Sequence, residues 1–188
     1  MKNKFTRSLA FCLLLCTLAT FSQNNMSTTK KAIIASVEKH EANLIKISDA
    51  IWALAEEAFQ EHKSSEILSN YAEKQGFTIE RGVAGMPTAF VATYGSGKPV
   101  ISVLGEFDAL PGISQKALPT KEALNKGAAG HGCGHNLFGA GSLGAAIAIK
   151  ELIQKGKIKG TVKFFGTPSE EKYFGKIWMV NAGLWDNV

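Results

Sequence analysis

An α/β layered sheet is the fold class the sequence predicts, and three observations carry it. Segments of helical and strand periodicity alternate along the chain. One nearly continuous apolar run, PVISVLG at 99–105, has the form of a central strand buried on both faces. Polar clusters stand directly after two of the strands, where ligands of such sheets bind. With 188 residues, 45% apolar and 20% charged, the chain suits one ordinary domain and is too apolar for disorder over most of its length.

The N-terminal segment reads as an export signal. Lys2, Lys4 and Arg7 precede an apolar stretch at 9–19, and Thr20, Ser22 and Gln23 follow it. As a helix that stretch would rise roughly 16 Å, about half the hydrocarbon thickness, so a stable membrane span is not expected. A lipoprotein signal is disfavoured because Leu15, not a small residue, precedes Cys16. Residues 1–22 are thus assigned to a signal peptide, residues 23–30 to a flexible lead-in and 31–188 to the folded domain, in an exported protein. Loss of the three basic residues of the signal lowers the net charge from +5 to +2. That small surplus argues against nucleic acid as a partner. Cys12 and Cys16 leave with the signal, so Cys133 remains without a disulfide partner and needs another explanation in an oxidising compartment.

The elements follow in order. Residues 31–59 carry a helical stripe of Val37, Leu44, Ile51 and Ala58 beside Ile33, His40, Ile47 and Leu54; a helix packed on a core fits better than a coiled coil of barely four heptads. His40 lies within that stripe and reads as a packing residue. A second helix is expected at 64–75, with Gly76 as left-handed cap and Phe77 folding back. Phe77, Ile79 and Val83 suggest a strand, Gly85-Met86-Pro87 a turn, and 89–94 another strand. Gly95-Ser96-Gly97-Lys98 then reads as a hairpin turn into 99–105. A helix at 137–155, a strand at 160–166 and a short helix at 174–182 complete the series.

Three clusters carry chemistry: EFDALP at 106–111, GHGCGHN at 130–136 and TPSEE at 167–171. In the second, His131, Cys133 and His135 alternate with glycines, so an extended loop would turn all three to one side. Imidazole and thiolate are preferred ligands of zinc and similar metals. Seven of the chain's 19 glycines fall between Gly127 and Gly144, which fits a segment shaped by close approach. Asn136 is the expected cap of the following helix. A flexible glycine-rich loop with incidental histidines is the plainer alternative, and a Cys133 nucleophile the chemical one. Glu170 and Glu171 offer a metal ligand and a base for metal-bound water, or simply two acids at a helix start. Asp108 suits a residue orienting a ligand, or a turn before Pro111. Two matches fail their context: Gly139-Ala140-Gly141-Ser142-Leu143-Gly144 fits a dinucleotide fingerprint but follows no strand, and Ser169-x-x-Lys172 lacks the partner motifs of penicillin-binding proteins.

In this order, GEFDALPG (105–112), GHGCGHN (130–136) and GTPSEE (166–171) resemble the M20 family of metallo-amidohydrolases, most of all its aminobenzoyl-glutamate hydrolase branch and the related dipeptidases. The resemblance implies a three-layer, mixed-sheet metallo-amidohydrolase catalytic domain. It implies two divalent metal ions, zinc or manganese, with Cys133, His135 and Glu171 as ligands and Glu170 as general acid/base. Asp108 would support the ligands and His131 would line the site. The implied substrate is a small-molecule amide or dipeptide, and the implied assembly a homodimer or hetero-oligomer. Family members also have further ligand histidines, a lid and dimerisation domain and a C-terminal part beyond the position of Val188. His40 and His62 match no ligand position, so residues 23–188 alone are expected to bind metal poorly and hydrolyse little. A thiol amidase using Cys133 and a non-catalytic exported metal-binding protein are the competing functions.

Overall fold

The computed structural model describes residues 26–188, so the assigned signal peptide lies outside the described residues. Helix α1 spans Thr28–Leu54 and starts ahead of the expected residue 31, because the Ser27 side chain caps it by accepting from the Lys30 amide (3.2 Å). It ends before the expected residue 59 because Ala55 and Phe59 both take left-handed backbone conformations. Its buried face is Ser36, His40, Leu44, Ile47, Ser48 and Ile51. The stripe therefore drops Val37, which is exposed, and takes in Ser36, which faces Glu151 of a neighbouring helix.

Helix α2, His62–Lys74, ends as expected: Gly76 is left-handed, its amide bonds Glu73 O, and Phe77 folds back onto Ala72 O. Strand β1 is Thr78–Arg81. Val83 falls outside it, in a 3-10 turn over Val83–Gly85 entered through the left-handed Gly82. Strands β2 (Phe90–Ser96) and β3 (Val100–Glu106) precede a long loop, then helix α3 (His135–Gln154) and strand β4 (Gly160–Thr167). A single turn α4 (Glu170–Tyr173) and helix α5 (Gly175–Asn181) follow.

Among the described residues the sheet has four strands in the order β1-β2-β4-β3. β2 lies antiparallel to both β1 and β4, while β3 runs parallel to β4. This corrects two expectations. The turn at Gly95-Ser96-Gly97-Lys98 does not close a hairpin, because β4 inserts between β2 and β3 and pairs with each. The 99–105 run is the edge strand of this sheet, with Ile101 exposed, and the central position belongs to β4. β4 carries the pattern of that position: Val162 and Phe164 face one core, Phe165 the other, and all three are fully buried.

The two cores define the layers. Phe90, Ala92, Val162 and Phe164 meet α1, α2 and α3 on one face of the sheet. On the other, Ala89, Val91 and Phe165 meet Met86 and Met179, with Trp185 beside them. Small residues let α3 approach closely, which accounts for its glycine pattern without a dinucleotide. A Cβ on Gly139 would lie 2.6 Å from Glu106 O, and one on Gly144 would lie 2.7 Å from Leu44 Cδ1 of α1. Among the described helices α3 alone has the length and apolarity of a membrane span, but most of it is buried in this domain, the signature of a core helix.

Polar contacts tie the outer helix to the inner one. Glu151 of α3 receives Lys39 Nζ (2.8 Å) and His40 Nε2 (3.2 Å) from α1, while His40 Nδ1 pairs with the Tyr71 hydroxyl of α2 (2.9 Å). His40 is thus a buried packing histidine, as expected. Burial works against the Glu151 charge, but the bonds from Lys39 and His40 outweigh it and lower the pKa to about 2. A carboxylate whose folded pKa is depressed stabilises the fold above its unfolded pKa, and that stability is lost as pH falls towards the folded value. Chemical denaturation at a series of pH values should lose on the order of 2 kcal/mol between about pH 4.5 and 2 through this group. In Glu151→Gln that part of the pH dependence should disappear.

Candidate metal centre

Strand register assembles the site. β3 and β4 run parallel with Glu106 opposite Thr167, so the segments after both strands emerge side by side. The first leads through the buried Phe107 and Asp108 to Leu110, whose N–H and C=O exchange bonds with Gly130 (3.0 and 2.9 Å). That bridge brings GEFDALPG against GHGCGHN. Gly134, left-handed at φ +76, then turns the chain into α3, so His135 occupies its first turn. The second strand leads through Pro168 and Ser169 to Glu170 and Glu171.

His135 is the hub of the cluster. Its Nδ1 lies 2.9 Å from Asp108 Oδ1, its Nε2 lies 2.9 Å from Glu106 Oε2, and Glu171 Oε1 stands 3.7 Å from Nε2. The second Asp108 oxygen accepts from the Glu171 N–H (2.9 Å). Glu106 is also paired with Lys176 of α5. Burial opposes a charge on His135, but hydrogen bonds and charge from Asp108 and Glu106 prevail and raise its pKa to about 10. The Glu106 carboxyl is held below its usual range: burial works against this, and the bonds from His135 and Lys176 win.

The structure brings together all five sequence-predicted site residues. Cys133, His135 and Glu171 each place a donor atom within 4.8 Å of the others, and Glu106, His135 and Glu170 form a second such group. Asp108 contacts both His135 and the Glu171 backbone. The expected common orientation of His131, Cys133 and His135 does not hold. The helix claims His135, while His131 turns towards α1 and donates from Nε2 to Ile51 O (3.0 Å). Burial lowers the His131 pKa. Asn136 is not the cap either; it lies inside α3 and donates to Ser48 Oγ of α1 (2.9 Å), because Gly134 takes the cap position.

Glu106, Lys176 and Glu61 are site neighbours that the sequence did not single out. Glu106 was accessible in principle, since residues 106 and 108 share one side of an extended segment. Lys176 and Glu61 carry no local signal, because only the tertiary fold brings them near.

The donor set fits a cation. Glu171 Oε1 is buried and accepts no hydrogen bond, leaving a carboxylate oxygen that a metal ion would satisfy. Thiol, imidazole and carboxylate are together the donor types of zinc and related sites. The thiol is poorly set up as a nucleophile. Cys133 is exposed, and the neighbouring carboxylate of Glu171, with the charges of Glu170 and Asp108, pushes its pKa up to about 11. Both nitrogens of the adjacent imidazole are already engaged by carboxylates.

Fold and donor set together define a mixed-sheet α/β domain with a cation-type cluster at its strand ends. Residues 103–188 match the model of Peptidase family M20/M25/M40. It is 44% identical over 156 residues to a subunit of the p-aminobenzoyl-glutamate hydrolase of Escherichia coli (strain K12), a match covering 81% of this chain and 32% of that protein. It is 28% identical over 181 residues to the Xaa-Arg dipeptidase of Mus musculus, covering 90% of this chain and 38% of the relative. The chain thus spans about a third of the length of these curated relatives. Among solved structures, the Bacillus subtilis YXEP protein, a dinuclear metal binding peptidase from the M20 family, superposes with a TM-score of 0.68 at 27% identity, covering 80% of this chain and 41% of that one.

The thiol environment leads to a reactivity test. In metal-free protein, iodoacetamide should alkylate Cys133 slowly at pH 8, because little of it is thiolate there. Glu171→Gln removes the largest cause of the raised pKa and should speed alkylation several-fold, read by intact-mass spectrometry. An equal or slower rate would contradict the assigned cause.

Proposed function

We propose that the protein is a metal-dependent amide hydrolase cleaving an N-acyl amino acid or dipeptide, with aminobenzoyl-glutamate as the model substrate. The observation that carries this reading is the convergence of Cys133, His135 and Glu171 donors beside Glu170 at the ends of β3 and β4. The 44% identity to a p-aminobenzoyl-glutamate hydrolase component supports the substrate class.

In this reading Cys133, His135 and Glu171 hold the metal. Two divalent cations, zinc or manganese, supply when bound the polarisation of water and amide carbonyl that hydrolysis near neutral pH needs. Asp108 keeps the His135 ring turned with Nδ1 towards itself, leaving Nε2 for the cation side. Glu170 takes the proton of the attacking water as its oxygen bonds to the amide carbon. It returns that proton to the amine nitrogen as the C–N bond breaks. Glu106, neutralised in part by Lys176, adds negative charge on the cation side of the imidazole. The reading extends to an exported protein whose first 22 residues are a signal, and to assembly as a homodimer or hetero-oligomer; the Escherichia coli relative is itself named as one subunit of its enzyme, which favours the second.

The test uses the protein as its gene encodes it, not the excised 23–188 segment, and follows release of aminobenzoate from aminobenzoyl-glutamate. Chelation should abolish turnover, and added zinc or manganese should restore it. Glu170→Ala should lower kcat by roughly 100- to 10,000-fold with metal content unchanged. Chelator-resistant activity that disappears on alkylation of Cys133 would instead establish the thiol amidase. Metal binding without turnover in any form would establish a non-catalytic metal-binding protein.

A further inference from the structure

We propose that Glu61 is a positioning residue of the hydrolytic site, its buried carboxylate fixing the backbone from which Glu170 projects. The inference rests on the reading of Glu170 as the base. Glu61 stands at the N-terminal edge of α2, far in sequence from the three motifs, and is fully buried. Its Oε1 accepts from the Ser169 N–H (2.8 Å) and its Oε2 accepts from the Thr88 hydroxyl (3.1 Å). Ser169 and Thr88 are themselves fully buried.

The geometry around Glu170 gives these contacts their meaning. The amide immediately before Glu170, that of Ser169, donates to Glu61. The amide immediately after it, that of Glu171, donates to Asp108 (2.9 Å). Glu170 is therefore carried between two amides, each held by a different buried carboxylate. Ser169 has a left-handed backbone at φ +56, a conformation that costs a non-glycine residue energy and persists only where its surroundings enforce it. Its own side chain supplies no anchor, since Ser169 Oγ is buried without a partner. The Glu61 bond is thus the side-chain contact that holds this backbone turn. Burial raises the Glu61 pKa to about 7, so keeping a carboxyl here is costly. A purely packing role would be filled better by an apolar side chain.

Glu61→Gln keeps a carbonyl oxygen for the Ser169 N–H, and the Thr88 hydroxyl can turn to accept from the new amide. Glu61→Ala removes both bonds. In the protein as its gene encodes it, Glu61→Ala should lower kcat by roughly 100-fold, the scale of a misplaced catalytic group, with KM and zinc affinity changed less than threefold. Amide hydrogen exchange should accelerate in 167–175 of metal-free and zinc-loaded protein alike. Glu61→Gln should recover kcat to within about tenfold of the native value and restore the exchange protection. Unchanged kcat in folded Glu61→Ala would overturn the proposal. So would equal losses in both variants accompanied by falling Tm and zinc affinity, which mark a structural role. Should Glu61→Ala not fold, Thr88→Val decides: it frees one carboxylate oxygen and should lower kcat several-fold, and an unchanged kcat overturns the proposal. Glu170→Ala separates the two ideas, since full activity in that variant would sink the assignment of the base itself, while the exchange measurement reads the Glu61 clamp independently of turnover.

Discussion

The buried carboxylate of Asp108 is the constraint on which the remainder of the site depends. One oxygen faces His135 Nδ1 and the other accepts the backbone N–H of Glu171. A single planar group thereby joins the segment after β3, the first turn of α3 and the segment after β4. Its plane sets the tilt of the imidazole and the position of the Glu171 backbone together. A carboxylate this deeply buried is tolerated because both oxygens are engaged, one of them beside an imidazole raised to pKa about 10. The fold serves that arrangement: parallel β3 and β4 align the two strand ends, and Gly139 lets α3 come close enough to present His135.

The charge pattern has its own logic. Glu106, Asp108, Glu170 and Glu171 converge on one imidazole and one lysine, an excess of negative charge that favours cations over anions in this region. The same excess protonates His135 and holds Cys133 as a thiol. A cation taken up by these two donors would release protons, because both must lose one to act as ligands.

Much of this was legible in the sequence, and the physical reasons divide cleanly. Features set by local geometry were readable: the cap at Gly76, the strand at 160–166, the close-packing glycines of α3, Asp108, Glu170 and Glu171 after strand ends, and Cys133 and His135 at the start of a helix. Features set by distant partners were not. Gly95-Ser96-Gly97-Lys98 has the composition of a hairpin turn, but strand order is decided by where β4 docks. Asn136 has the chemistry of a helix cap, but Gly134 takes the turn and Ser48 of α1 takes the side chain. His131 shares the spacing of Cys133 and His135, yet the Ile51 carbonyl claims it. Glu61 and Lys176 reach the site only through the tertiary fold, and no motif spacing marks them.

The insertion of β4 between β2 and β3 also bears on how the chain acquires this structure. Among the described strands β3 pairs with one about sixty residues later, so that contact closes a long loop that contains α3. Until β4 arrives, β2 and β3 are adjacent in sequence, joined by a turn-forming tetrapeptide, and free to pair with each other. That local pairing is incompatible with the native strand order. The segments after β3 and β4, which carry Asp108 and Glu171, are therefore brought together by a long-range pairing and not by the nearest turn.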